Sequence, residues 1–226
     1  MGLAIEHGNV IVTLMMVHLL ASLLAAEVRV LRGAIVALIF QSATLAAIFA
    51  AFGLLWTQPW LYGWAGVAVI TKVVLIPLLL WMHVRQFPSR EVRPIIGFRP
   101  SVALVVIFIV AFYRFIYTYI YFIAPTSAAL VEPAKSSLAM AFTVFLLGLY
   151  MCMAKRDVVK IVIGIVVLEN GIHLSLVTLA PGLPETTIMG ITSNIIIAAW
   201  LLLYLAGRIY QTLGTTDTLM LSELKR

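Results

Sequence analysis

The sequence predicts an all-α fold, a polytopic membrane helix bundle of about seven transmembrane helices, and three observations carry that prediction. Of 226 residues, 63% are hydrophobic and 11% charged, with a mean hydropathy of +1.12. A soluble domain carries roughly 45–50% apolar and about 25% charged residues, so this composition excludes a globular cytosolic enzyme. Apolar runs near the ~20 residues that cross a bilayer recur from end to end. Basic residues gather in alternate breaks between those runs.

Taken in order, the runs span approximately residues 9–27, 33–56, 61–82, 101–123, 136–154, 158–180 and 187–207. Glu27, Arg29 and Arg32 separate the first two, and Gln58-Pro59 ends the second. The stretch RQFPSREVRPIIGFRP, from Arg85 to Pro100, forms the longest loop; its arginines suit a lipid-headgroup anchor or the docking of a partner. Pro125 to Lys135, Lys155-Arg156-Asp157 and Pro181 to Glu185 make the remaining breaks. The chain reads as one membrane domain over residues 1–226. Within it lie a three-span part (1–100), a connecting fourth span with its loop (101–135), and a second three-span part with a short tail (136–226). The two three-span parts share extent and direction, and Gln41 and Glu169 fall at comparable places, although the third and seventh spans do not match at Lys72.

The positive-inside rule sets the orientation. With the N-terminus outside and the C-terminus inside, twelve of the 15 Lys and Arg lie on the inner side: Arg29, Arg32, Arg85, Arg90, Arg93, Arg99, Lys155, Arg156, Lys160, Arg208, Lys225 and Arg226. Lys135 is outside, and Lys72 and Arg114 lie within spans. Trp56, Trp60, Tyr62 and Trp64 suit an outer interfacial belt. No Lys or Arg precedes the first run, so it reads as a retained span rather than a signal peptide. The single cysteine, Cys152, leaves no means of building a disulfide, a zinc site or a cysteine-ligated iron–sulfur cluster from this chain alone.

An ionisable side chain near the bilayer centre costs several kcal/mol, about 2.5–3.5 even on the lenient insertion scale, so those present call for an explanation. Six positions qualify: His18, Lys72, Arg114, Glu169, His173 and Asn194. At ~1.5 Å per residue, Lys72 and Glu169 both fall near 16 Å from the outer end, with the other four a few ångströms shallower. Glu169 is the sole interior acid. A carboxyl group balanced between burial and a nearby cation can bind and release a proton, and Lys72 at matching depth is the candidate cation. His173 follows Glu169 at i+4, on the same helix face. Pro77 removes a backbone donor five residues after Lys72, which predicts a break or kink beside the lysine. The competing reading is a buried Glu–Lys pair that specifies packing.

The other positions have plainer readings. His18 suits a hydrogen-bonded interior histidine, and Arg114, beside Tyr113, Phe115 and Tyr117, suits snorkelling or stacking on rings. The nine methionines have no ligand spacing and suit core filling. His18 and His173 on separate helices also resemble a haem ligand pair, but the four-histidine pattern of a two-haem cytochrome is missing.

From the fifth span onward, FLLGLYMCMAKRDVVKIVIGIVVLENGIHLSLVTLA resembles subunit K of NADH:quinone oxidoreductase and the C subunit of multisubunit sodium/proton antiporters. The shared features are LGL before a basic loop, an IG step, and a polar cluster in mid-helix. Across nearly the whole chain, WAGVAVITKVVLIPLLL, VLENGIHLSL and RIYQTLGTTD resemble the hydrogenase-4 component E family, found in group 4 energy-converting hydrogenases and formate hydrogenlyase-type complexes. That resemblance implies a non-catalytic subunit in a prokaryotic cytoplasmic membrane. Its neighbours would be antiporter-like large subunits, the subunit anchoring the hydrophilic arm, and lipids, with no nucleic acid. The nickel–iron centre and iron–sulfur clusters would sit in partners and no cofactor in this chain.

The resemblance also implies that Glu169, Lys72 and His173 contribute to proton or sodium translocation. Two departures stand out. Subunit K has its first acid where Val166 stands, and its last-span acid has no counterpart among Asn194, Ala198 and Trp200; component E tends to have an acid at the position of Asn194. The alternatives are a subunit of a cation/proton antiporter without a redox arm, and a scaffold whose polar band locks helix packing.

Overall fold

A computed structural model describes residues 2–86, 98–180 and 182–214. Among them every regular element is helical: α1 (Gly2–Glu27), α2 (Leu31–Trp56), α3 (Trp60–Ala68), a π-helical segment (Val69–Leu75), α4 (Ile76–Gln86), α5 (Phe98–Ile123), a short 3-10 turn (Ala128–Leu130), α6 (Ala134–Ala154), α7 (Val158–Leu179) and α8 (Glu185–Leu213). With α3, the π segment and α4 counted as one, seven helices are long and apolar enough to cross a membrane. The chain is a multi-pass membrane protein. Most of the arginine-rich stretch, residues 87–97, and the tail beyond 214 lie outside the described residues.

The helices run further than their apolar runs. The third span continues to Gln86 and the last to Leu213, because backbone hydrogen bonding does not stop where hydropathy falls. Beyond the hydrocarbon, polar and aromatic side chains extend the same helix. Arg32 and Arg85 each place a guanidinium carbon 5.9 Å from the centre of the Trp81 ring, tying α2 to α4. At the far end Trp64 departs from the expected interfacial belt. It is fully buried, with its ring edge-on to Phe49 at 5.8 Å, while Tyr62 remains exposed.

The break expected from Pro77 takes a specific form. Pro77 offers no N–H, and the preceding turn widens to the π pattern, with the Ile76 amide donating to Thr71 O five residues back. Lys72 lies inside this widened turn and is buried.

α7 is the most enclosed span and α5 the least. Close packing of α6 on α7 enforces this. A Cβ on Gly148 would fall on the Leu168 backbone, and one on Gly171 would fall on Phe145 N and Ala141 O. Small residues let membrane helices meet backbone to backbone, where lipid supplies no hydrophobic drive for association. The LGL and ENG strings are therefore packing devices as well as sequence signatures.

Two apolar clusters bracket the middle of the bundle. One includes Ala34, Ile35, Leu38, Val162, Ile163 and Val167; the other includes Leu45, Phe49, Phe52, Leu174 and Val177. Between them on α2 and α7 fall Gln41, Thr44, Glu169, Asn170 and His173, all buried. The basic residues Arg29, Arg32, Lys155, Arg156 and Lys160 lie beside the junctions α1–α2 and α6–α7, at what is here the basic end. There Lys155 Nζ stands 2.6 Å from Glu27 Oε1, and Ser101 Oγ donates to Glu27 Oε2 at 2.7 Å. Lys160 Nζ donates to the carbonyls of Ala25 (2.8 Å) and Ala26 (3.3 Å), capping the end of α1. Asp157 accepts from the Val159 and Lys160 amides, so α7 starts on a side-chain cap.

Candidate functional site: a buried polar network

Among the described residues the ammonium of Lys72 has three partners, all from α7. Nζ donates to Asn170 Oδ1 at 2.6 Å and to His173 Nδ1 at 2.6 Å, and it stands 3.0 Å from Glu169 Oε2. The i, i+1 and i+4 spacing of these three residues turns them toward one helix, and the π segment brings the lysine to meet them. Glu169 Oε1 lies 3.9 Å from His173 Nδ1. The Lys72–Glu169 contact is ionic in kind. Oε2 of Glu169 is held by this ion pair, whereas Oε1 and His173 Nε2 are buried without a hydrogen-bond partner among the described residues.

From Asn170 the network crosses two further helices. Asn170 Nδ2 donates to Gln41 Oε1 at 2.6 Å. Gln41 Nε2 faces His18 Nε2 at 3.1 Å and donates to Ser22 Oγ at 3.2 Å. His18 Nδ1 lies 3.0 Å from both Gln41 O and Thr44 Oγ1. Thr44 donates its hydroxyl proton to Gln41 O at 2.6 Å, and Ser22 donates to His18 O at 2.8 Å. α1, α2, the π segment and α7 thus share one buried polar network.

Of the six positions singled out from sequence, four join it: Glu169, Lys72, His173 and His18. Arg114 and Asn194 do not. Both are exposed, on α5 and α8, because depth along a helix leaves its rotation open. The cation over the Tyr117 ring is Lys135, at 4.0 Å, while Tyr117 donates to Glu132 at 2.9 Å. Sequence reasoning passed over Asn170, Ser22 and Thr44, and it weighed Gln41 only as a repeat position. The usable signal was two amides, Asn170 and Gln41, at bilayer depth, where an unpaired amide is costly.

Comparison with known proteins bears on this arrangement. The family of NADH-ubiquinone/plastoquinone oxidoreductase chain 4L matches residues 136–226. Hydrogenase-4 component E of Escherichia coli K12 is 32% identical over 185 residues, covering 82% of this chain and 83% of that protein. The same figures hold for hydrogenase-4 component E of Escherichia coli O157:H7 and of Shigella flexneri. The chain belongs to the hydrogenase-4 component E family. No solved structure matches it.

In this component E homologue, the chain 4L match takes in α6, α7 and α8, and so Glu169, Asn170 and His173. It leaves out α1, α2 and the π segment, which supply His18, Ser22, Gln41, Thr44 and Lys72. The network therefore joins the chain 4L-like part to the part that precedes it.

Proposed function

We propose that this chain is a non-catalytic membrane subunit of a redox-driven, ion-translocating complex of the energy-converting hydrogenase type, and that Glu169, with Lys72 and His173, forms its mid-membrane proton or sodium site. Its partners in this reading are antiporter-like membrane subunits and the subunit that anchors a hydrophilic arm. The nickel–iron and iron–sulfur centres belong to partners and none to this chain, and the membrane is the prokaryotic cytoplasmic one with the N-terminus outside.

One observation carries the site. The Glu169 carboxylate is buried with Oε2 3.0 Å from an ammonium, while Oε1 has no hydrogen-bond partner among the described residues. A carboxylate kept only for packing gains from full hydrogen bonding, which a low-dielectric interior rewards strongly. This one keeps free lone pairs where a proton or an ion can bind, with a cation beside it to favour release. Carrying one charge across 100 mV involves about 2.3 kcal/mol, so intermediate sites within the membrane are useful stepping points.

The test is Glu169→Gln in the intact complex. The amide keeps size and hydrogen bonding but loses the titratable group. The expected result is assembly and electron transfer without coupled ion movement. Normal ion-to-electron stoichiometry in the assembled variant rejects Glu169 as a carrier, and a defect confined to assembly favours the scaffold reading.

A further inference from the structure

We propose that His18 is a second proton-binding residue of this subunit, and that the side-chain amides of Gln41 and Asn170 couple its protonation to the position of Lys72. This rests on the ion-site reading of Glu169 and Lys72, and extends it into α1 and α2, which lie outside the chain 4L match.

The direction of each hydrogen bond is determined by chemistry. An ammonium only donates, so Lys72 makes Asn170 Oδ1 an acceptor and leaves the Asn170 amide nitrogen to donate to Gln41 Oε1. The Gln41 amide nitrogen must then point toward α1, where it meets His18 Nε2 and Ser22 Oγ. Because an amide nitrogen cannot accept, His18 Nε2 does, and it carries no proton. The ring proton sits on Nδ1, facing Gln41 O and Thr44 Oγ1, whose own proton is already given to Gln41 O. Every bond in the string therefore points away from Lys72, and His18 is neutral at its far end.

Transfer of a proton from a transiently admitted hydronium ion to His18 Nε2, which leaves a water molecule, turns that acceptor into a donor. Gln41 must then rotate its amide to present Oε1 to His18, which turns its nitrogen toward Asn170. Asn170 rotates in turn and presents its nitrogen to Lys72. An ammonium facing an amide nitrogen has no acceptor, so Lys72 gives up this contact and moves toward Glu169 and His173. A protonated His18 and an Asn170-bound Lys72 ammonium thus exclude one another. No proton passes through the amides; only their orientation is transmitted. His18 is the proton-binding group, and Gln41 and Asn170 are positioning residues. Because His18, Gln41 and Asn170 are each 0% exposed, bulk water does not supply the alternative partners that would uncouple the string.

The experiment measures ions moved per electron in the intact complex carrying His18→Gln, Gln41→Met or Gln41→Glu. His18→Gln keeps an acceptor for Gln41 but binds no proton, Gln41→Met cuts the string at similar volume, and Gln41→Glu when ionised only accepts and so holds His18 protonated. Expected is a severalfold loss of ion movement per electron in variants that assemble, with electron transfer retained. Wild-type stoichiometry in assembled Gln41→Met or His18→Gln, alongside an uncoupled Glu169→Gln, rejects this inference alone. Wild-type stoichiometry in Glu169→Gln rejects the underlying site as well. If all three variants fail to assemble, the string serves packing and the proposal is overturned.

Discussion

Lys72 and Asn170, 98 positions apart in the chain, meet nitrogen to oxygen at 2.6 Å in the middle of the bundle. One comes from a π-helical turn and the other from the most enclosed helix, so the contact reports both the widening before Pro77 and the seating of α7 on α6. Shifting either moves the cation relative to Glu169.

Lys72→Met should destabilise the subunit more than Glu169→Gln does. Removing the lysine strands a buried carboxylate, a loss on the order of 3–5 kcal/mol for a broken buried pair. Replacing Glu169 leaves the ammonium two acceptors, Asn170 and His173. The double variant should be more stable than Lys72→Met alone. Thermal dissociation of the purified complex measures all three, and strictly additive losses would show that the two residues do not interact.

Gly148→Val and Gly171→Val should abolish stable assembly, because the added atoms meet backbone that cannot yield. Gly66→Ala, with open space around the new Cβ, should be tolerated. Overpacking costs about 1–3 kcal/mol where side chains can adjust, and more is expected here. Membrane levels of the subunit and its retention in the complex give the readout.

At the basic end, Lys155→Met should cost roughly 2–3 kcal/mol by leaving the Glu27 carboxylate with the Ser101 hydroxyl and no cation, the loss from breaking a largely buried ion pair being moderated by partial exposure of the lysine. Glu27→Gln should cost less, since its amide oxygen can still accept from Lys155. A larger loss for Glu27→Gln than for Lys155→Met would contradict this ordering.

The orientation is testable by single-cysteine labelling in a Cys152→Ser background. A cysteine at Lys135 should react with an impermeant reagent from outside, and one at Arg93 should react only from inside. Labelling of the Arg93 position from outside would invert the topology.

Much of the candidate site was legible in one dimension. Counting residues from the span ends put Lys72 and Glu169 at one depth, and they do meet at 3.0 Å. The i+4 spacing likewise put His173 beside Glu169. The same count could not tell that Arg114 and Asn194 face away from the network, because a difference of one residue turns a side chain by about 100°. Asn170, and Gln41 beyond its place in the repeat, escape a reading of the sequence for another reason: an uncharged amide leaves a faint mark in composition, and its importance arises only when a partner from another helix is present.

What the sequence by itself determined was therefore the local and axial part: seven spans, the break before Pro77, the glycines of LGL and ENG, and the level at which charge enters the bilayer. These follow from side-chain transfer into lipid and from backbone hydrogen bonding within a few residues. Only the tertiary structure decided which faces turn inward, that the break becomes a π turn around Lys72, and that His18, Gln41, Asn170 and Lys72 form one string. Those depend on how four helices rotate against one another, and that rotation is settled by close packing and by the need of each buried donor and acceptor to find a partner.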